Sequence, residues 1–242
     1  MFVKTEALIL SVKKHRDNAM LVQAYASEFG RISFLVYGGH GRRGGKSFAS
    51  VLHPFSLVEV ELEMKPHRDL HISKEIKSTV PLNGILFDPQ KSTLAIFLAE
   101  ILLSSLKTAE KDRALFTFLK ESVLTLDRLD RGIANFHIAF LLKFTYFLGV
   151  FPNVSDLGTM GYFDMRQAEF SVSRPLHSQY IDSVHGRAIQ LLTRMNYQNL
   201  HLYRFSRDQR RETLEKIIEY YRIHLQGFGE IISFSVLQSI FA

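Results

Sequence analysis

The residues whose chemistry stands out lie in the run Tyr37-Gly38-Gly39-His40-Gly41-Arg42-Arg43-Gly44-Gly45-Lys46-Ser47. Five glycines and three permanent cations fall within it, and no acidic residue occurs between Arg31 and Ser50. Glycine lets backbone amides come close to a phosphate, while Arg and Lys displace the counterions condensed on a polyanion. A nucleotide-hydrolysing P-loop is excluded by spacing: the motif needs glycine five positions before Gly45, and His40 stands there. The strong helix that should follow is also missing, since Phe48 to Phe55 contains His53-Pro54. Two readings of the run remain, a phosphate-binding loop and a solvated loop between two strands whose charge only aids solubility.

The setting favours phosphate. Lys13, Lys14 and Arg16 form a second basic cluster, Arg31 closes a hairpin turn, and residues 1–80 hold 12 Lys+Arg against 8 Asp+Glu, so +4 of the chain's +6 falls there. Phe34, Tyr37 and Phe48 are close enough in sequence to offer stacking surfaces to bases. Strand alternation assigns Phe34 to a core instead. The candidate nucleic-acid contacts are therefore Lys13, Lys14, Arg16, Arg31, Tyr37, Arg42, Arg43 and Lys46.

Other constellations carry less. Five of the ten histidines also lie in the first 80 residues, yet His67 and His71, four apart, share a face only in a helix, and here they flank a strand. No carboxylate and third histidine complete a set, so no metal is expected. Glu59, Glu61 and Glu63 alternate with Val58, Val60, Leu62 and Met64 and form the wet face of a strand rather than paired catalytic acids. With no nucleophile elbow either, the chain reads as a binding protein and not an enzyme. Arg204, Arg207, Arg210 and Arg211 crowd the start of a helix, where the dipole disfavours cations. They are either solvated charge or a contact for an acidic peptide or DNA backbone.

The elements that must position these residues divide into two periods. Glu6–Val12, Met20–Ala26, Ile32–Tyr37, Val58–Met64 and the stretch after Pro66-His67-Arg68-Asp69, with Leu70, Ile72 and Ile76 on one parity, read as five short strands. Glu28-Phe29-Gly30-Arg31 supplies a hairpin turn in which Gly30 can take positive φ. Five strands within 80 residues fit a small barrel such as an OB-fold, which also removes exposed sheet edges. From Asp88 the period becomes helical. Asp88-Pro89 is an N-cap followed by proline at N1, and helices are expected from there, over 112–129, over 133–148, from Asp182 or Ser183 to Met195, and from a Ser206/Gln209 capping box to about Gly227. The fold class is thus α+β: a five-stranded OB-fold-like β-barrel over residues 1–80, then an all-α C-terminal domain over 81–242 with a short hairpin insertion near 153–175.

Composition agrees with this frame. Hydrophobic residues make up 46% and charged residues 22% of the 242, ordinary globular values. The absence of cysteine removes disulfides, Cys-ligated zinc and thiol catalysis. The N-terminal residues lack a secretory pattern, and the longest apolar run, Ile133 to Phe151, contains Asn135, His137 and Lys143. A lysine near the middle of a span costs about 2.5–3.5 kcal/mol on insertion scales, so a buried helix of a cytoplasmic protein is expected.

Read together, these segments resemble the bacterial recombination-mediator family RecO along nearly the whole chain. Thr5-Glu6-Ala7-Leu8-Ile9-Leu10, Asp17-Asn18-Ala19-Met20-Leu21-Val22, Glu28-Phe29-Gly30-Arg31-Ile32-Ser33 and the Gly/Arg run follow the order of that family's barrel. Phe144-Thr145-Tyr146-Phe147-Leu148-Gly149-Val150-Phe151-Pro152 resembles its central helix and exit. The resemblance implies binding of single- and double-stranded DNA, annealing of complementary strands, and cooperation with RecR and the acidic tail of the single-strand DNA-binding protein so that RecA can load. A nucleoid-associated place in the cytoplasm follows from the same resemblance. One departure stands out: many members carry a four-cysteine zinc knuckle after that proline, whereas here Leu157 and Met160 occupy the positions of the first pair. Packing by Leu157, Met160, Tyr162, Phe163 and Phe170 is expected to pin the hairpin instead. The competing readings are an OB-fold protein that binds RNA and an adaptor that binds only proteins.

Overall fold

A computed structural model describes residues 2–15, 18–37, 51–64, 68–107, 110–154 and 161–240. Five strands form a closed barrel: β1 (Phe2–His15), β2 (Ala19–Ala26), β3 (Gly30–Tyr37), β4 (Leu57–Glu63) and β5 (Leu70–Ser78). Their order around the barrel is β1-β2-β3-β5-β4, closed by antiparallel pairing of β4 with the first half of β1. β3 and β5 meet in parallel, Phe34 opposite His71. Such closure leaves no long unpaired edge, which a five-stranded open sheet would expose.

The alternating residues do what their period requires. Ala7, Ile9, Val22, Ala24, Ile32, Phe34, Val58, Val60, Leu62 and Ile76 fill the barrel. Gly30 sits at φ 69° in the turn between β2 and β3, a conformation that disfavours a Cβ. Two bulges change the pattern that simple alternation predicts. In β1 the register shifts between Ile9 and Ser11, so Ile9 and Val12 both serve the core, while Leu8 and Leu10 are buried on the outer side. In β5 the partners skip from Glu75 to Ser73. The extra residue, Lys74, reverses the parity upstream: His71 becomes buried and Leu70 is exposed, which corrects the expectation that Leu70, Ile72 and Ile76 share one face.

The barrel belongs to a compact unit that runs through Arg128 and includes Ile231–Ile240. Its helices are α1 (Asn83–Phe87), α2 (Pro89–Ser105), α3 (Arg113–Arg128) and, after the second unit, the chain's last helix. Asp88 caps α2 as its sequence predicts, accepting from the amides of Gln90 and Lys91 at 2.8 and 3.2 Å. Helix α2 is buried on nearly every side and packs on β1. Tyr25 Oη donates to the Glu110 carbonyl at 3.0 Å and accepts from the Asp112 amide at 3.1 Å, tying β2 to the start of α3. Lys120 pairs with Glu6 at 2.8 Å.

The second unit spans residues 129–230. A 3-10 turn (Ile133–Asn135) leads into α4 (Phe136–Phe147), whose Phe136, Phe140 and Phe144 are fully buried. The single helix expected over 133–148 is therefore divided at its start, where Gly132 takes φ 76°. β6 (Tyr162–Asp164), β7 (Glu169–Ser171) and β8 (Tyr180–Ile181) form a small sheet in the order β7-β6-β8, one strand more than the expected hairpin. Then come α5 (Ser183–Thr193), capped by Asp182, and α6 (Arg207–His224), which starts with the predicted Ser206/Gln209 capping box. Tyr221 from α6 donates to the Leu141 carbonyl at 2.8 Å inside the core of this unit. The last helix, α7 (Ser233–Ile240), returns to the first unit, where Glu100 accepts from the amides of Ile232 and Ser233 and from the Ser233 hydroxyl.

Candidate nucleic-acid interface

Strand register decides which candidate side chains share a surface. At the end of the barrel where β1 finishes, one row runs Lys13–Leu21–Leu35 and another His15–Ala19–Tyr37 across β1, β2 and β3. Both rows have the parity opposite to Val12, Val22 and Phe34, which point into the core. Lys13 and Tyr37 thus lie on one outward face, and Tyr37 is 54% exposed. Strands are spaced by about 4.8 Å, so His15 stands roughly 10 Å from Tyr37 across β2. Lys14 is exposed too, but falls in the row Lys14–Met20–Val36 with core parity, at the mouth of the barrel. Phe34 is fully buried, as alternation predicts.

Charge is distributed unevenly over the barrel. Lys4 pairs with Glu59 at 2.8 Å, Lys74 with Glu61 at 3.7 Å and Lys77 with Glu75 at 2.9 Å, so cations on β5 and the first half of β1 are neutralised. Lys13 and Lys14 make no ion pair among the described residues. Among the described residues, the charge of Lys13 and Lys14 is therefore unpaired at the barrel end that includes Tyr37, the last described residue before the Gly/Arg run. On re-entry the chain is fixed: Val51 and Leu52 pack against the barrel core, and the Ser56 hydroxyl donates to the carbonyls of Val51 and His53. Arg16, Arg42, Arg43 and Lys46 lie outside the described residues, as do Phe48 and His67. Arg31 has a different environment from the lysines. Its Nη1 donates to the Leu103 carbonyl at 3.4 Å, and burial lowers the pKa of its guanidinium.

The four arginines at α6 separate into distinct roles. Arg210 turns inward, where Nε donates to Asn135 Oδ1 at 3.3 Å and Nη2 to the Phe205 carbonyl at 3.4 Å. Asn135 in turn donates to the carbonyls of Leu200 and Tyr203, so Arg210 helps hold the turn before α6. Arg211 lies near Asp208 and Glu215, at 3.7 and 3.9 Å. Arg204 and Arg207 are exposed and make no ion pair among the described residues. Beside them lie features that sequence periodicity does not reveal, because an irregular turn creates them. Leu202 is 67% exposed, Tyr203 stacks on Phe205 at 6.1 Å, and Tyr203 Oη donates to the carbonyl of exposed Leu191 at 2.9 Å. Apolar and cationic groups are adjacent here.

Possible metal donors are present among the described residues of this unit, such as Asp164 and His177, but only as pairs. No group of three His, Asp or Glu among the described residues could hold an ion, and the chain has no cysteine, so a thiolate zinc knuckle does not fit these residues. Apolar packing holds the small sheet. Phe163 meets Phe170 at 5.2 Å and Tyr220 at 6.3 Å, with Met165 and Ile189 completing the cluster. His224 Nε2 lies 2.7 Å from the Met165 carbonyl and Asp164 pairs with His177 at 3.1 Å, both within reach of hydrogen bonding. Tyr162 packs edge-on against Tyr180, while Leu157 and Met160 fall outside the described residues.

The architecture defines a class of protein: a five-stranded OB-type barrel continued by a helical C-terminal region. Residues 1–81 match the family model "Recombination protein O N terminal" and residues 86–229 the model "Recombination protein O C terminal". The chain is 40% identical to DNA repair protein RecO of Bacteroides fragilis, 37% to that of Phocaeicola vulgatus and 35% to that of Azobacteroides pseudotrichonymphae. Each match covers both chains from end to end. It belongs to the RecO family of DNA repair proteins. Among the described residues no helix is long and apolar enough to cross a membrane.

Proposed function

We propose that this protein is a non-catalytic recombination mediator that binds single- and double-stranded DNA through residues 1–80, anneals complementary strands and assists recombinase loading. The observation that carries the reading is the uncompensated charge of Lys13 and Lys14 beside exposed Tyr37, at the barrel end where the Gly/Arg run begins. Its mechanism is electrostatic. Lys13, Lys14, Arg16, Arg42, Arg43 and Lys46 replace counterions along the sugar–phosphate chain, and Tyr37 offers one ring for stacking. Arg31, already committed to the Leu103 carbonyl, supports the barrel more than it touches DNA. Phosphate contacts position the strand without reading base edges, so sequence preference is weak.

Within residues 81–242, Arg204 and Arg207 with Leu202 and Tyr203 suit an acidic peptide that also carries apolar side chains, the chemistry of a single-strand binding protein's tail. RecR and, indirectly, RecA complete the set of partners, in the nucleoid-associated cytoplasm. Competition against a fluorescent single-stranded DNA, using full-length protein, separates this reading from an RNA-binding barrel. Unlabelled DNA should compete at least as well as RNA of the same sequence, and substitution of Lys13 or Tyr37 by Ala should weaken binding. Preferential competition by RNA would mark a 2′-hydroxyl reader instead. Absence of binding at low ionic strength would leave only the protein-binding adaptor.

A further inference from the structure

A cluster of exposed rings stands at the C-terminal end of α4, in the unit spanning residues 129–230. Tyr146 is 63% exposed and Phe151 37%. Phe147 and Phe151 both meet Tyr146 edge to face, at 5.6 Å and 86° and at 6.5 Å and 74°. One helical turn earlier, Lys143 Nζ lies 5.2 Å from the centre of the Tyr146 ring.

The backbone imposes this arrangement. Val150 N donates to the Thr145 carbonyl at 3.0 Å and Gly149 N to the Tyr146 carbonyl at 3.1 Å, with Gly149 at φ 72°. These two bonds are a Schellman motif, which ends the helix and brings the following residue back over its last turn. Phe151 is thereby delivered onto Tyr146. Tyr220 Oη fixes the turn further by donating to the Val150 carbonyl at 2.7 Å. Packed against two neighbouring rings, Tyr146 has little freedom left to lose when a ligand covers its exposed surface.

Charge selects the ligand. Lys143 makes no ion pair among the described residues, and no Asp or Glu occurs between Asp130 and Asp156. We propose that Tyr146, Phe151 and Lys143 form a second nucleic-acid contact, a platform on which an unpaired base stacks while Lys143 meets its phosphate. Aromatic faces with an adjacent cation suit single strands, whose bases can turn outward, and not duplexes, whose bases already stack on each other. An apolar peptide anchor needs a pocket to fill, whereas Tyr146 projects into solvent. The inference rests on the reading that this protein binds DNA, and assigns the helical unit a part in choosing single strands.

The chain contains no tryptophan, so Tyr146→Trp installs a single reporter. Titrated into the full-length variant, an oligo-dT strand should quench its emission strongly and a duplex of equal length only weakly. Tyr146→Ala should lower single-strand affinity relative to duplex affinity by roughly 5- to 150-fold, with Tyr146→Phe retaining it. If wild-type protein binds the strand while Tyr146→Ala leaves that ratio unchanged and the reporter is not quenched, the platform is overturned and DNA binding stands. Wild-type protein that binds neither strand nor duplex removes the DNA reading and the platform together. Quenching by an Asp-rich peptide ending in Phe, with none by the oligonucleotide, overturns the assignment in favour of a protein partner.

Discussion

His137 shows what burial does to a titratable residue that no binding role explains. It is fully buried near the start of α4, and burial, helped by the nearby charge of Arg210, holds its imidazole down to about 3. An unfolded chain binds that proton near its ordinary pKa of about 6.5. Stability from a neutral buried imidazole is therefore fully present above pH 6.5 and is lost as the pH falls toward 3, with a slope of up to about 1.4 kcal/mol per pH unit. Melting temperature measured from pH 7 to pH 4 should fall less steeply in His137→Leu than in wild type. Parallel profiles would remove His137 from the account of acid lability. Arg210, beside it, shows how position in sequence misleads. It sits in a basic run yet serves Asn135 and the Phe205 carbonyl, while Arg204 and Arg207 on either side of the Ser206 cap remain open to solvent.

At the scale of elements, ends matter more than middles. Gly149 takes φ 72°, and a Cβ there would meet nothing within 4 Å, so Gly149→Ala isolates the conformational cost of the α4 terminus. A loss of about 1–2 kcal/mol in urea unfolding is expected, and a change of only a few tenths would contradict the left-handed turn. Caps of this kind were legible from residue types alone: Asp88-Pro89, Asp182 and the Ser206/Gln209 box all start helices. So were the five strands, because one face of each fills the barrel and alternation follows. The bulges at Leu10 and Lys74 were not, since an inserted residue leaves composition unchanged and is set by which partner strand lies opposite. Helices α1 and α7 escaped for a related reason. Their N-terminal amides are satisfied from a distance, by Asp127 for α1 and Glu100 for α7, and no local signal announces either start. Among the candidate contacts, Lys13 and Tyr37 are named by residue type alone. That they share an outward face, and that Lys14 does not, required the register.

Across the whole molecule, two devices replace what sequence or charge alone would suggest. Aromatic packing of Phe163, Phe170 and Tyr220 holds the small sheet of the second unit in a chain without cysteine, so a chelator such as EDTA should leave the melting temperature unchanged. A fall of several degrees would show that metal contributes to this fold after all. Net charge of +6 is modest, but ion pairs neutralise the barrel's cations at Lys4, Lys74 and Lys77 and leave Lys13 and Lys14 unpaired among the described residues. Concentration of charge, not its total, makes a polyanion site. The measurement that tests this most directly is the salt dependence of single-stranded DNA binding by full-length protein, with and without Arg42, Arg43 and Lys46 replaced by Ala. Wild type should lose affinity linearly in log–log form, and the triple variant should show a slope shallower by roughly 2 units, as about three phosphate contacts are lost. An identical slope in the two proteins would contradict the account.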